Sequence, residues 1–145
     1  MKKFSFPLET VRRWRERHAE MEEARLHALI AEKQNIERHR GTLESELATE
    51  HRRVEDKSFD AAELARLDEF RAWVMREKQR LSASLAECET RIARQRAVLV
   101  DARRRFELIG RLKEKALMDW NRTAAKEQED LAAELYLARN GSKED

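Results

Sequence analysis

The chain has 145 residues, of which 41% are charged, and it contains three glycines and one proline. A layered globular core needs turns, and this composition supplies almost none, so it excludes a compact α/β or β domain and favours long helices. The formal net charge is only +2, because 31 basic and 29 acidic residues are interspersed. Such interspersion is typical of a solvated helical surface and argues against a nucleic-acid-binding stripe.

No stretch of the sequence predicts a membrane span or a secretion signal. No window approaches the ~18 consecutive apolar residues that cross a bilayer. The segment from Phe4 to Leu8 is too short to be the apolar region of a signal peptide. We therefore expect a cytoplasmic protein that is not inserted directly into the membrane.

The first predicted helix spans residues 8–55 and follows a short arm that carries Phe4 and Phe6. Pro7 suits the first turn of a helix, where a missing N–H costs nothing. The helix has an apolar seam at the 3-4 spacing of a coiled coil. Its members are Leu26, Leu29, Ile36, Leu43, Leu47 and Val54. An earlier apolar set is out of phase with this seam and predicts a stutter near residues 18–26. That set is Val11, Trp14, His18 and Met21.

Turn-forming residues cluster between Asp56 and Asp60, so a turn is predicted at residues 56–60. The spacing of Asp60 and Glu63 is that of a capping box at the start of a second helix. This helix is predicted over residues 61–139, with a tail at residues 140–145 after Asn140-Gly141. Its seam rows are Leu85, Ile92, Leu99 and Phe106, and Leu67, Val74, Leu81, Cys88, Ala102 and Ile109. The single cysteine is expected to be buried filler on this seam.

A short connection forces two long helices to run antiparallel. The sequence therefore predicts one all-α coiled-coil domain over residues 1–145, a hairpin whose second helix is longer and overhangs. Pairing across the turn places Leu43 near Val74. It likewise places Ile36 near Leu81 and Leu29 near Cys88.

In this pairing the first helix ends opposite Gly110, so residues 111–139 have no partner left in the chain. Gly110 is expected to give the arm room to lie close to the second helix. Alternatively, the glycine breaks the helix and residues 111–139 fold back as a third helix.

The overhang carries an apolar stripe, and a stripe without an intrachain partner usually marks a binding surface. The predicted partner-binding residues are Leu112, Trp120, Gln128, Leu131 and Leu135, with Phe4 and Phe6 in the arm.

No pattern in the sequence predicts catalysis. The four histidines lack the spacing of a helical metal site: they are His18, His27, His39 and His51. A phosphate-binding glycine loop and a nucleophile motif are both missing from the sequence. The protein is accordingly predicted to be non-enzymatic and to need no metal or cofactor.

Two segments of the chain carry a family resemblance. The first is the opening Phe4-Ser5-Phe6-Pro7-Leu8-Glu9-Thr10-Val11, followed by Arg15. The second is the closing segment, Leu112-Lys113-Glu114 and Glu127-Gln128 with Leu131. Both resemble the FliJ family of flagellar type III export proteins. The chain length and the longer second helix agree with this resemblance. One departure is Ala132-Ala133, where the family often has an Asp-Glu pair.

The resemblance implies a cytoplasmic component of the flagellar export apparatus, associated peripherally with the inner membrane. In the family, the end that carries both termini enters the ring of the hexameric export ATPase and promotes its activity, and the rest engages the membrane export gate. Some members also handle export chaperones. The predicted ATPase-facing residues are those of the overhang. Stalk proteins of related injectisomes meet the same physical demands, and a self-associating structural coiled coil is the competing class.

Overall fold

The structure, a computed structural model, describes residues 2–56 and 60–143. Helix α1 spans Glu9–Glu55 and helix α2 spans Ala61–Gly141, with no strand among the described residues. The two helices pack against each other as a helical hairpin. They contain 47 and 81 residues. The predicted all-α hairpin with a longer second helix is confirmed.

The N-terminus of α1 follows a turn at Pro7 and Leu8. The Glu9 backbone N–H donates to the carbonyl of Phe6 at 3.2 Å, so the turn satisfies one of the free amides at the helix start. The Glu9 carboxylate lies in the first turn, where the helix dipole favours negative charge. The helix thus begins one residue after the predicted start.

The connection and the far end of α2 follow the predicted pattern only in part. Residues 57–59 of the predicted turn lie outside the described residues. The Asp60 carboxylate accepts the backbone N–H of Ala62 at 3.5 Å, as a residue at a helix N-cap does. Helix α2 continues two residues beyond the predicted end, to Gly141. No described residue has a positive φ, so a left-handed cap does not end the helix.

The chain packs as two compact units. We call Glu20–Val100 the hairpin unit. The terminal unit comprises the described residues of Met1–Ala19 and Asp101–Asp145. Both helices contribute to each unit.

The core of the hairpin unit is the predicted seam. Leu43, Val74 and Leu81 form one buried cluster, and Ile36, Leu47 and Phe70 pack on it. The cluster joins the predicted neighbours Leu43 with Val74 and Ile36 with Leu81. Cys88 is fully buried and free, and its Sγ donates to the carbonyl of Leu29 at 3.4 Å. The predicted antiparallel pairing and the buried position of Cys88 are confirmed.

The buried face of α1 keeps a single phase, and the predicted stutter is wrong. Ala19 and Glu22 are buried on the 3-4 spacing that leads back from Leu29, whereas Val11, Trp14 and Met21 are exposed. The seam period of two packed helices decides which positions face inward, whatever residues occupy them. Three members of the out-of-phase set, Val11, Trp14 and Met21, therefore lie on the outer face of α1, and His18 is half-buried.

Glu22 is a charged side chain inside the hairpin unit, with 3% of its surface exposed. Its carboxylate accepts a hydrogen bond from the Arg25 guanidinium at 2.7 Å. The Gln95 side-chain amide donates to the Glu22 carboxylate and, at 3.0 Å, to its backbone carbonyl. A buried carboxylate persists only when donors replace its water, and α2 supplies one of those donors.

Two glycines lie inside the helices without a packing reason. A Cβ at Gly41 or at Gly110 would meet nothing within 4 Å. The expected role of Gly110, giving the arm room, is therefore wrong, because no neighbouring group approaches this glycine. Helix α2 also continues through Gly110, so the alternative of a break and a third helix is wrong as well.

The open space predicts that Gly41→Ala and Gly110→Ala stabilise the protein. Each should add up to about 1 kcal/mol, since alanine loses less backbone entropy than glycine in a helix interior. Urea unfolding followed by circular dichroism measures the effect. A decrease in stability in either variant would mean that the glycine hydrogen is in close contact with another group.

Candidate partner-binding surface

The arm lies along α2 further from the turn than predicted. The ring of Phe4 meets the edge of Trp120 in a T-shaped contact, with 6.1 Å between centroids and 63° between planes. Half-buried positions recur at helical spacing as far as Ala124, which shows that one face of α2 is covered to this point. They are Lys113, Ala116, Trp120 and Ala124. The expectation that residues 111–139 have no partner is therefore wrong up to Ala124, because the arm extends along α2 beyond the end of α1.

A charged cluster connects the first residue of α1 to α2. Lys113 Nζ lies 3.0 Å from a Glu9 carboxylate oxygen. Arg12 donates to the same carboxylate through Nε and, at 2.8 Å, through a terminal nitrogen. These donors, Arg12 first and Lys113 second, lower the pKa of Glu9 from 4.5 to about 2. The start of α1 is thus tied to α2 by a carboxylate that stays ionised in all but strong acid.

The depressed pKa of Glu9 predicts a loss of stability in acid. Since the folded pKa is below the ordinary value, the carboxylate contributes fully above pH 4.5, and the contribution is lost as pH falls towards 2. A carboxyl NMR titration measures the pKa directly. Arg12→Ala should raise the pKa of Glu9 more than Lys113→Ala does, because the Arg12 hydrogen bonds are the larger cause. An unchanged pKa in Arg12→Ala would contradict this assignment.

Beyond Ala124, α2 is uncovered. Every residue from Ala125 to Lys143 is exposed, including Leu131 at 57% and Leu135 at 63%. These two leucines are four residues apart and continue the row of Trp120 and Ala124, so they share one helix face. We call residues 125–141 of α2 the exposed end.

The predicted site residues therefore divide into two groups. Phe4 and Trp120 contact each other within the chain, and Phe6 is half-buried. The second group is exposed on α2: Leu112, Gln128, Leu131 and Leu135. Leu112 is not one of the half-buried positions of α2, whereas its neighbour Lys113 is. Sequence reasoning did not single out Tyr136 and Leu137, which are 65% and 67% exposed.

A concave surface lies in the hairpin unit. It is a cleft of about 580 Å³ whose apolar lining is Val54, Leu67 and Phe70. Charged residues complete the lining: Glu46, Glu50, Glu63, Arg53 and Arg66. Phe70 also stacks on Trp73 at 6.0 Å, and Trp73 is 43% exposed. This cleft was not predicted from the sequence. Trp73, a large apolar residue beside the seam residue Val74, was a signal of an apolar surface there.

Residues 2–56 and 60–143 contain neither a candidate metal site nor a candidate membrane span. No group of three or more His, Cys, Asp or Glu side chains is placed to hold a metal ion. No helix in these ranges has the length and apolar character needed to cross a membrane. Comparisons with family models, curated proteins and solved structures give no match to this chain.

Proposed function

We propose that the protein is a non-enzymatic stalk of the flagellar type III export apparatus, which inserts the exposed end of α2 into the ring of the export ATPase. The observation that carries the proposal is the pair Leu131 and Leu135, large apolar side chains on one face of an uncovered helix. The resemblance of the opening and closing segments to the FliJ family supports the identity of the partner.

The form of the exposed end fits a ring lumen. A single α-helix with its side chains is about 10–12 Å across, so it enters a narrow channel that a globular domain does not. Leucines that lose their water in such a channel supply binding free energy, and central apolar residues usually dominate it. Gln128, one turn before Leu131 and two turns before Leu135, offers a polar contact on the same side.

The contact between Phe4 and Trp120 argues against Trp120 as an ATPase contact, because its ring already packs within the chain. Trp120 holds the arm against α2, and a substitution there would disturb the terminal unit itself. We therefore assign Leu131 and Leu135 as the primary ATPase contacts and give Trp120 the task of fixing the arm at the base of the exposed end.

The cleft of the hairpin unit supports the proposed contact with the export gate. Its apolar lining, Val54, Leu67 and Phe70, is suited to the apolar side chains of a peptide segment. The surrounding Glu and Arg residues would orient polar groups of that segment. The two proposed partners thus use surfaces in different units.

The test is the double variant Leu131→Ser/Leu135→Ser. It should retain wild-type helicity and melting, because both side chains are exposed and make no packing contact to lose. Its affinity for the cognate ATPase should fall by at least about 30-fold for each anchor lost. Stimulation of ATP hydrolysis and motility of complemented cells are the readouts.

A matched control tests whether the effect is specific to the exposed end. Leu108 and Met75 are 57% and 58% exposed on α2, so Leu108→Ser/Met75→Ser removes comparable apolar surface elsewhere. The control should stimulate the ATPase as the wild type does. Full stimulation by Leu131→Ser/Leu135→Ser would refute the proposal. A wild-type dimer by light scattering that the double variant converts to a monomer would instead assign the leucines to self-association.

A further inference from the structure

We propose that the outer face of the first three turns of α1 binds an anionic lipid surface. We call this face, made of Val11, Arg13, Trp14 and Arg17, the basic outer face. It belongs entirely to the terminal unit and is separate from the leucines of the exposed end. The proposal goes beyond the proposed function, which assigns no lipid contact to the protein.

The apolar part of this face is exposed without a reason inside the fold. Val11 and Trp14 are 41% and 55% exposed. Their spacing of three residues makes them neighbours on the surface of α1, and Trp14 lies on the side away from the buried Ala19. Tryptophan is the residue that membrane interfaces favour most, because its ring is apolar and its N–H remains at the wet boundary.

Trp14 is also held in place. Its ring stacks on His18 with 5.2 Å between centroids and 5° between planes, and the Arg15 guanidinium lies 4.8 Å from the ring centroid. These contacts orient an aromatic side chain outwards at low entropic cost. A pre-oriented ring loses less freedom on binding than a mobile one.

The charge of the segment is complementary to acidic phospholipid headgroups. From Lys2 to His18 there are six Lys or Arg residues and two Glu, in a chain that is nearly neutral overall. Glu9 is engaged by Arg12 and Lys113. Arg13 and Arg17 are exposed near Trp14, and Arg13 also forms a 3.7 Å ion pair with Glu9.

A basic amphipathic helix of this kind lies in the plane of the interface and does not cross the bilayer. Each Lys or Arg near an anionic surface adds roughly 1 kcal/mol of attraction, which corresponds to about fivefold in affinity. The lipid surface is favoured over an acidic protein because the apolar residues of the face are few and include an outward tryptophan, as an interface requires.

The experiment is sedimentation of the full chain with vesicles of pure phosphatidylcholine or with added phosphatidylglycerol. We expect binding only to the vesicles that contain phosphatidylglycerol, weakened by salt. Arg13→Gln/Arg17→Gln should lower the affinity about 30-fold. Arg94→Gln/Arg96→Gln, an equal loss of charge at exposed positions of the hairpin unit, should bind as the wild type does.

Circular dichroism is the check that both double variants remain folded. We expect them to be folded, since Arg and Gln have similar helix propensities. The proposal is overturned if the wild type does not sediment with the anionic vesicles, or if the two double variants lose affinity equally. Binding to poly-glutamate without binding to vesicles would also overturn it and would assign the basic outer face to an acidic protein.

Discussion

Val74→Asp should unfold the hairpin unit or cost about 4 kcal/mol or more. Val74 is fully buried in the cluster with Leu43 and Leu81. An aspartate there would place an unpaired charge between two helices, where no donor replaces its water. Thermal and urea unfolding by circular dichroism measure the loss.

The matched control is Leu137→Asp in the same helix, at a side chain that is 67% exposed. It introduces the same charge and the same poor helix former, yet it should change stability by less than about 1 kcal/mol. Similar losses in the two variants would mean that Asp acts through helix propensity and that the two helices do not form a packed seam.

Gln95→Leu is expected to destabilise the hairpin unit by about 1–3 kcal/mol, because it removes a donor from the buried Glu22 carboxylate. Adding Glu22→Leu should recover most of this loss, since two apolar side chains pack together without a charge to solvate. A double-mutant cycle on urea unfolding gives the coupling free energy directly.

Strict additivity of the two substitutions would show that the hydrogen bond from Gln95 contributes nothing to stability. A recovered or higher stability in the double variant would raise the question of why the polar pair is present. One polar contact inside an apolar seam favours a single register, because a slipped pairing leaves the carboxylate without its donor. Light scattering and NMR dispersion of the double variant test this consequence.

The hairpin and its antiparallel pairing could be predicted from the sequence for a simple reason. In α2 the seam residues are apolar at nearly every position, so hydrophobic spacing and burial coincide from Leu67 to Ile109. A cluster of turn-forming residues between two such seams leaves an antiparallel hairpin as the one arrangement that buries both. Asp60 predicted the start of α2, because the N-cap preference of aspartate is a local signal.

The first four turns of α1 could not be predicted in this way. There Trp14 and Met21 look like seam residues, yet Ala19 and Glu22 occupy the inner positions. The partner helix decides which face is inner, and the preference of Glu22 for that face depends on Gln95, 73 residues away. No local pattern contains that information.

The covering of α2 by the arm was missed for a related reason. Residues 2–6 have no periodic pattern, so their contact with Trp120 depends on the direction that the turn at Pro7 and Leu8 sets. The exposed end was predicted correctly only beyond Ala124, where no described residue covers α2.

The uncovered state of the exposed end has a consequence for how tightly any partner holds it. A helix without tertiary contacts frays, and its residues alternate between helix and coil. A partner that binds the helical form must therefore supply the free energy of ordering, so its affinity depends on helix propensity as well as on contact. Ala132 and Ala133 are the best helix formers at the centre of this end. In the proposed complex they would strengthen binding by making the coil less populated.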